Sequence, residues 1–152
     1  MTADIDPVTR EGLRAVSERY ATGVDRKDAA LYLSAFLPDA RLLVHGAGDE
    51  KTPRRVISGH AELAGVTAAL AVYARTFHLV GNAVYDVNAS TASGEVYCIA
   101  HHLTTERDGD TNFIMYIRYQ DRYRQMEGRP WLLAERRVLV DWTETRAADP
   151  FR

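Results

Sequence analysis

Cysteine is nearly absent from this chain. Cys98 is the only one, so no internal disulfide can staple the fold, and its place in the apolar run VYCIA reads as packing rather than as a nucleophile. An excess of charge of either sign is also missing. Nineteen Lys and Arg stand against 21 Asp and Glu, a formal net charge of −2, which gives no basic footprint for nucleic acid or an anionic membrane. No apolar run reaches the ~18 residues of a membrane-spanning helix, and the opening MTADIDPVTR lacks the plan of a signal peptide, so a cytoplasmic protein with no membrane partner is expected. There is no internal repeat and no linker. What remains is 152 residues, 46% of them hydrophobic, which suits a single domain over residues 1–152 and small molecules as partners.

Apolar residues recur at three or four from Pro7 to about Asp25 (Leu13, Val16, Tyr20, Val24), which predicts an amphipathic helix. Asp28 reads as the N-cap of a second helix, Ala29 to Leu37, stopped by Pro38-Asp39. ARLLVHG, Ala40 to Gly46, is a strand candidate, and GAGDEKTPRR after it reads as a mobile loop. Gly59 to Ala74, rich in Ala and Leu, predicts a third helix. Four β-rich stretches follow: Thr76 to Val87, Ala92 to Glu106, Asn112 to Gln125 and Trp131 to Thr143, with NASTASG and RDGD as turns. Helices followed by an antiparallel meander define an α+β fold. Long strands twist and coil, so helices laid across such a bent sheet leave a conical pocket at one end.

Chemistry in such a pocket needs titratable groups. A carboxylate beside an imidazole makes a base near neutral pH, because the acid fixes the tautomer and stabilises the imidazolium, and Asp25 with His78 is the candidate dyad. His101 and His102 are adjacent on one strand, so the pleat turns only one of them inward. With His45 and His60 they supply no spacing for a metal site. Arg118, Asp121, Arg122, Arg136, Arg137 and Asp141 alternate with apolar residues, as cross-strand ion pairs on a solvated or subunit-facing sheet do. Tyr116, Tyr119, Tyr123 and Trp142 are available to bury against a second subunit, so a homodimer or homotrimer is expected.

The order YATGVDRKD, TFHLVGN, GEVYCIAHH and IRYQDRYRQMEG resembles the SnoaL-like branch of the nuclear-transport-factor-like superfamily, from about Arg10 to Trp142. The resemblance implies a cystatin-like α+β barrel: a curved, cone-like, mostly antiparallel sheet with three packed N-terminal helices enclosing one pocket. It is closest to the scytalone dehydratase, bile acid dehydratase and hexachlorocyclohexane dehydrochlorinase group, which remove a proton without a cofactor. On that likeness His78 is the base, Asp25 its partner and Tyr20 the group that polarises a carbonyl or leaving hydroxyl, with His101 or His102 binding substrate. Five residues turn a helix by about 140°, so Tyr20 and Asp25 share a face only if the helix ends near Asp25, as Gly23 and Arg26-Lys27 allow.

Each of these residues also has a plain structural reading: His78 as a hydrogen-bonded strand residue, Asp25 as a helix-end residue, Tyr20 as a core tyrosine. The functions implied are a lyase or isomerase, a dehydratase first, acting on a small hydrophobic polyketide, steroid-like or aromatic substrate. The alternatives are a polyketide-type cyclase and a non-catalytic pocket for a hydrophobic ligand.

Overall fold

The computed structural model describes residues 4–149. Its first element is α1, Pro7–Asp25, which opens on Asp6, whose carboxylate accepts from the Thr9 N–H at 3.0 Å, with Pro7 at the first helical position. The helix closes in a Schellman motif. Lys27 takes a left-handed φ of 54°, its N–H reaches the Val24 carbonyl at 3.0 Å, and the Asp28 N–H reaches Gly23 at 2.8 Å. Asp25 is therefore the last helical residue, held rigidly rather than frayed. Asp28 then caps α2, Ala29–Leu33, through the Leu31 N–H, and Gly23 lets the two helices meet, since a Cβ there would lie 2.4 Å from the Tyr32 nitrogen.

The sheet has six strands: β1 Phe36–His45, β2 Pro53–Ser58, β3 Arg75–Asn88, β4 Thr91–Glu106, β5 Gly109–Gln125 and β6 Trp131–Ala148. Their spatial order is β2-β1-β6-β5-β4-β3, antiparallel throughout except where β1 runs parallel to β6. Between β2 and β3 lie α3, Gly59–Leu63, α4, Gly65–Ala69, and a 3₁₀ turn over Leu70–Val72.

Three expectations change here. The second helix stops at Leu33, because Pro38 forbids continuation and Phe36 already belongs to β1, whose register shifts across the proline. The continuous third helix is three short turns, broken at Gly65 and tightened over Leu70–Val72. Part of the supposed loop after Gly46 is β2, an edge strand whose proline and exposed arginines suit the rim of a sheet.

The inner face of the bent sheet packs on α1 and α2. Val96, Cys98 and Ala100 of β4, Ile117, Tyr119 and Tyr123 of β5, and Leu133, Val138 and Val140 of β6 bury against Leu13, Val16, Tyr20, Val24 and Tyr32. Tyr119 and Tyr123 thus belong to the core, not to a subunit-facing surface. The outward residues of the expected set are Tyr116 and Trp142, stacked at 4.2 Å.

Candidate active site

Where α1 ends, Asp25 meets the first residues of β3. Its Oδ1 accepts from the Thr76 hydroxyl at 2.9 Å and from His78 Nδ1–H at 2.7 Å, and its Oδ2 accepts from the His78 backbone N–H at 2.8 Å. Burial alone raises this carboxyl, but the His78 and Thr76 bonds overcome it and hold the pKa below the ordinary carboxylate value. With its proton on Nδ1, the His78 ring keeps the Nε2 lone pair free, and its side chain is only 7% exposed. Carboxylate and imidazole are in place together.

The pleat decides between the two adjacent histidines. Thr76 pairs with His102 across the β3–β4 ladder and Phe77 with His101, so His102 shares the inner face with His78 while His101 looks outward. The His78 and His102 rings meet edge to face at 5.9 Å. Burial lowers the His102 pKa and keeps the ring neutral; its Nδ1–H donates to the Phe113 carbonyl at 3.2 Å, which leaves a second free Nε2 beside the first. Tyr73 lies over His102 at 4.8 Å, tied down by Lys27, whose ammonium donates to the Tyr73 carbonyl. A cavity of about 530 Å³ wraps the start of β3, lined by Asp25, Thr76, Phe77, His101 and Asn112 among others, so His101 borders the same free volume as Asp25.

Tyr20 is buried elsewhere, among Tyr32, Phe36 and Tyr119 at ring distances of 5.2 to 5.9 Å. The Arg136 guanidinium lies against both the Tyr20 ring, at 4.3 Å, and the Tyr119 ring, at 4.0 Å. Its edge forks onto Asp121 at 2.8 and 2.7 Å, Ser17 takes another bond, and the Tyr123 hydroxyl closes on Asp121 at 2.6 Å. Arg136 and Asp121 are 0% exposed, and the Arg136 Nη1 has no protein partner. This corrects the reading of that pair as a surface ladder. The register puts Arg136 opposite Asp121 on the inward row, a period of two that runs on through Val138 and Val140. Burial raises the Tyr20 pKa, so its hydroxyl stays a proton donor. Cys98, between the two groups, is pushed up to about 11 by burial and behaves as packing.

Thr76 went unassigned in the sequence, and Arg136 was read only as a member of a cross-strand ion-pair ladder. Thr76 was findable, since it stands two residues before His78 and so on the same face of one strand. Among the described residues no group of three or more His, Cys, Asp or Glu is arranged to hold a metal ion, and no helix is long and apolar enough to cross a membrane.

A chain with this six-stranded sheet and these helices has the architecture of the cystatin-like proteins. It belongs to the SnoaL-like domain family, which it matches over residues 9–137. No curated protein matches it in sequence. Among solved structures it resembles hexachlorocyclohexane dehydrochlorinase type 3 from Novosphingobium barchaimii, at 16% identity and a TM-score of 0.77, covering 95% of this chain and 94% of that one. It is also similar to a candidate scytalone dehydratase from Novosphingobium aromaticivorans, at 20% identity and a TM-score of 0.74 over 94% and 93% of the two chains. A cystatin-like protein of unknown function from Nostoc punctiforme aligns at 23% identity and a TM-score of 0.72, over 91% and 96%. These likenesses establish the fold.

Proposed function

We propose that the protein is a cofactor-independent lyase or isomerase of the cytoplasm that abstracts a proton from a small hydrophobic substrate of polyketide, steroid-like or aromatic type, with dehydration as its reaction. The observation that carries this reading is the Asp25–His78 pair. Three hydrogen bonds fix the carboxylate, the carboxylate fixes the imidazole tautomer, and the free Nε2 is left to take a proton from carbon next to an electron-withdrawing group. Asp25 then stabilises the imidazolium that forms. His102, neutral and adjacent, offers an acceptor for a substrate hydroxyl, and His101 holds the outer part of the substrate at the mouth. Tyr20, which the family likeness names as the oxyanion donor, lies with its ring on Arg136 in the aromatic cluster and takes no part in this step. The dehydrochlorinase and dehydratase names among the structural relatives support elimination as the class of chemistry. Cyclisation of a polyketide would use the same base.

A second reading has its own observation. Tyr20 sits in the aromatic cluster rather than against the dyad, which favours a pocket that binds a hydrophobic ligand without turning it over. One experiment separates the two. β-Hydroxy ketones and β-hydroxy thioesters of graded size are incubated with the protein in D₂O, and loss of the α-proton signal and gain of alkene are followed by NMR. Exchange and dehydration that vanish in His78→Ala, while the variant still binds the ketone, support the lyase. Binding with no exchange above buffer in the native protein identifies the ligand-binding reading instead.

A further inference from the structure

Three donors border the cavity beside Asp25, and the proton transfer proposed for the dyad uses none of them. Lys27 and Arg75 line it together with His101. Lys27 is placed by the backbone: it is the left-handed residue that closes α1, and its ammonium donates to the Tyr73 carbonyl at 3.2 Å. One such bond leaves two ammonium hydrogens for another acceptor. Arg75 is the first residue of β3 and stands opposite Leu103 in the ladder. Neither cation forms an ion pair among the described residues.

The third donor is an imidazole of opposite tautomer to the other two. The Asn112 amide donates through Nδ2 to His101 Nδ1 at 2.9 Å, and because an amide nitrogen cannot accept, the neutral His101 ring carries its proton on Nε2. His78 and His102 hold theirs on Nδ1 and present acceptors, so His101 alone of the three presents a donor. The charges of the wall do not cancel. Lys27 and Arg75 supply +2 and Asp25 supplies −1, so 2 − 1 leaves +1 around this space in a chain whose formal charge is −2. Both Asp25 oxygens are taken by Thr76 and His78. Phe77 and Leu103 add apolar surface to the same wall.

We infer that this cavity binds a single carboxylate carried on an apolar body, with the anion between Lys27 and Arg75, His101 Nε2–H as a further donor, and the body against Phe77 and Leu103. A concave wall focuses the field of its uncompensated charge, and one negative charge neutralises it. A phosphate dianion would exceed that charge and face Asp25 as well. Capture of the anion rests on the cavity alone. Joined to the elimination reading of the previous section, on which this further step depends, it makes the substrate an acid rather than a neutral ketone.

Calorimetric titration of the whole chain with 3-phenylpropanoate, its methyl ester and 2-phenylethyl phosphate tests the site. The acid is expected to bind with a dissociation constant below about 1 mM, and the ester at least about tenfold more weakly. Arg75→Gln weakens the acid by about tenfold and Lys27→Gln by about fivefold, with the ester unaffected and the melting temperature of Arg75→Gln unchanged. Equal affinity for acid and ester, an acid affinity indifferent to both substitutions, or tighter binding of the phosphate overturns the inference. The α-proton assay with 3-hydroxy-3-phenylpropanoate separates the two claims. Charge-dependent binding of that acid without exchange or dehydration upholds the anion site and removes the lyase, whereas turnover of neutral ketones alone, indifferent to Arg75→Gln, upholds the lyase and removes the anion site.

Discussion

Two ion pairs line the inner face of this sheet, and they differ in what surrounds them. Arg136 and Asp121 both have fully buried side chains; the guanidinium lies against Tyr20 and Tyr119, and the pair is tied to Ser17 and Tyr123. Asp25 and His78 stand where α1 meets the start of β3, with side chains 23% and 7% exposed, and only Asp25 of the two borders a cavity. The deep pair has a two-bond fork and a third bond to Ser17 of α1, so it holds helix to sheet. The shallow pair leaves one ring nitrogen of His78 without a partner, and the proposed proton transfer rests on it. Full burial sets the first apart from the second.

The contrast is broken most forcefully at Arg136. Arg136→Met leaves the Asp121 carboxylate buried without a cationic partner and is expected to cost about 3–5 kcal/mol in urea unfolding, while Arg136→Met with Asp121→Leu recovers most of the loss. Should the single variant be no less stable than the double one, the deep pair is not what binds α1 to the sheet.

Next in size is Asp25→Asn, which keeps the shape of the site but no longer selects the tautomer or stabilises the imidazolium. Turnover in the α-proton assay is expected to fall about 100-fold, close to 2.7 kcal/mol of barrier, and the unfolding midpoint at pH 7 to fall as well, since the charged carboxylate no longer contributes. The same variant reports on pH. The folded Asp25 pKa lies below its ordinary value, so its stabilising contribution is complete above the unfolded carboxylate pKa near ~3.9 and disappears as pH drops through the lower folded value. A difference in stability between native protein and Asp25→Asn that persists unaltered from pH 6 to pH 2 contradicts that assignment.

Gly23→Ala sharpens the comparison from the helix side. Its Cβ would press on the Tyr32 backbone and push α1 away from α2, at a cost of about 1–3 kcal/mol, and because Asp25 is two residues on, turnover should drop along with the melting temperature. The smallest effect is expected at Thr76. Thr76→Val removes one of three bonds to Asp25 and should slow the proton transfer by about tenfold with the KM for substrate unchanged. An altered KM with an unaltered kcat would instead place Thr76 in substrate binding.

Much of this was legible in the residues. The stripe of Leu13, Val16, Tyr20 and Val24 gave α1 its limits, since a helix face is written at a fixed spacing, and strong β periodicity located β3 to β6 to within a few residues at most ends. Asp25 and His78 were both named, and they meet. Short or irregular elements were less readable: β2 sits in a stretch rich in turn formers and charge, and α3, α4 and the 3₁₀ turn look like one helix until Gly65 is weighed against its neighbours. Tyr119 and Tyr123 read as surface aromatics because a strand of alternating Tyr and Arg does not say which set faces the helices.

The sequence by itself determined the class of fold and the order of elements and named Asp25 and His78 as a candidate pair, because these depend on local periodicity and on residue chemistry. Only the tertiary structure decided which of His101 and His102 turns inward, that Tyr20 joins Arg136 rather than His78, and that Arg136 and Asp121 are buried. Those outcomes follow from strand register and from bulges such as the one after Tyr116, and a shift of one residue exchanges the two faces of a sheet.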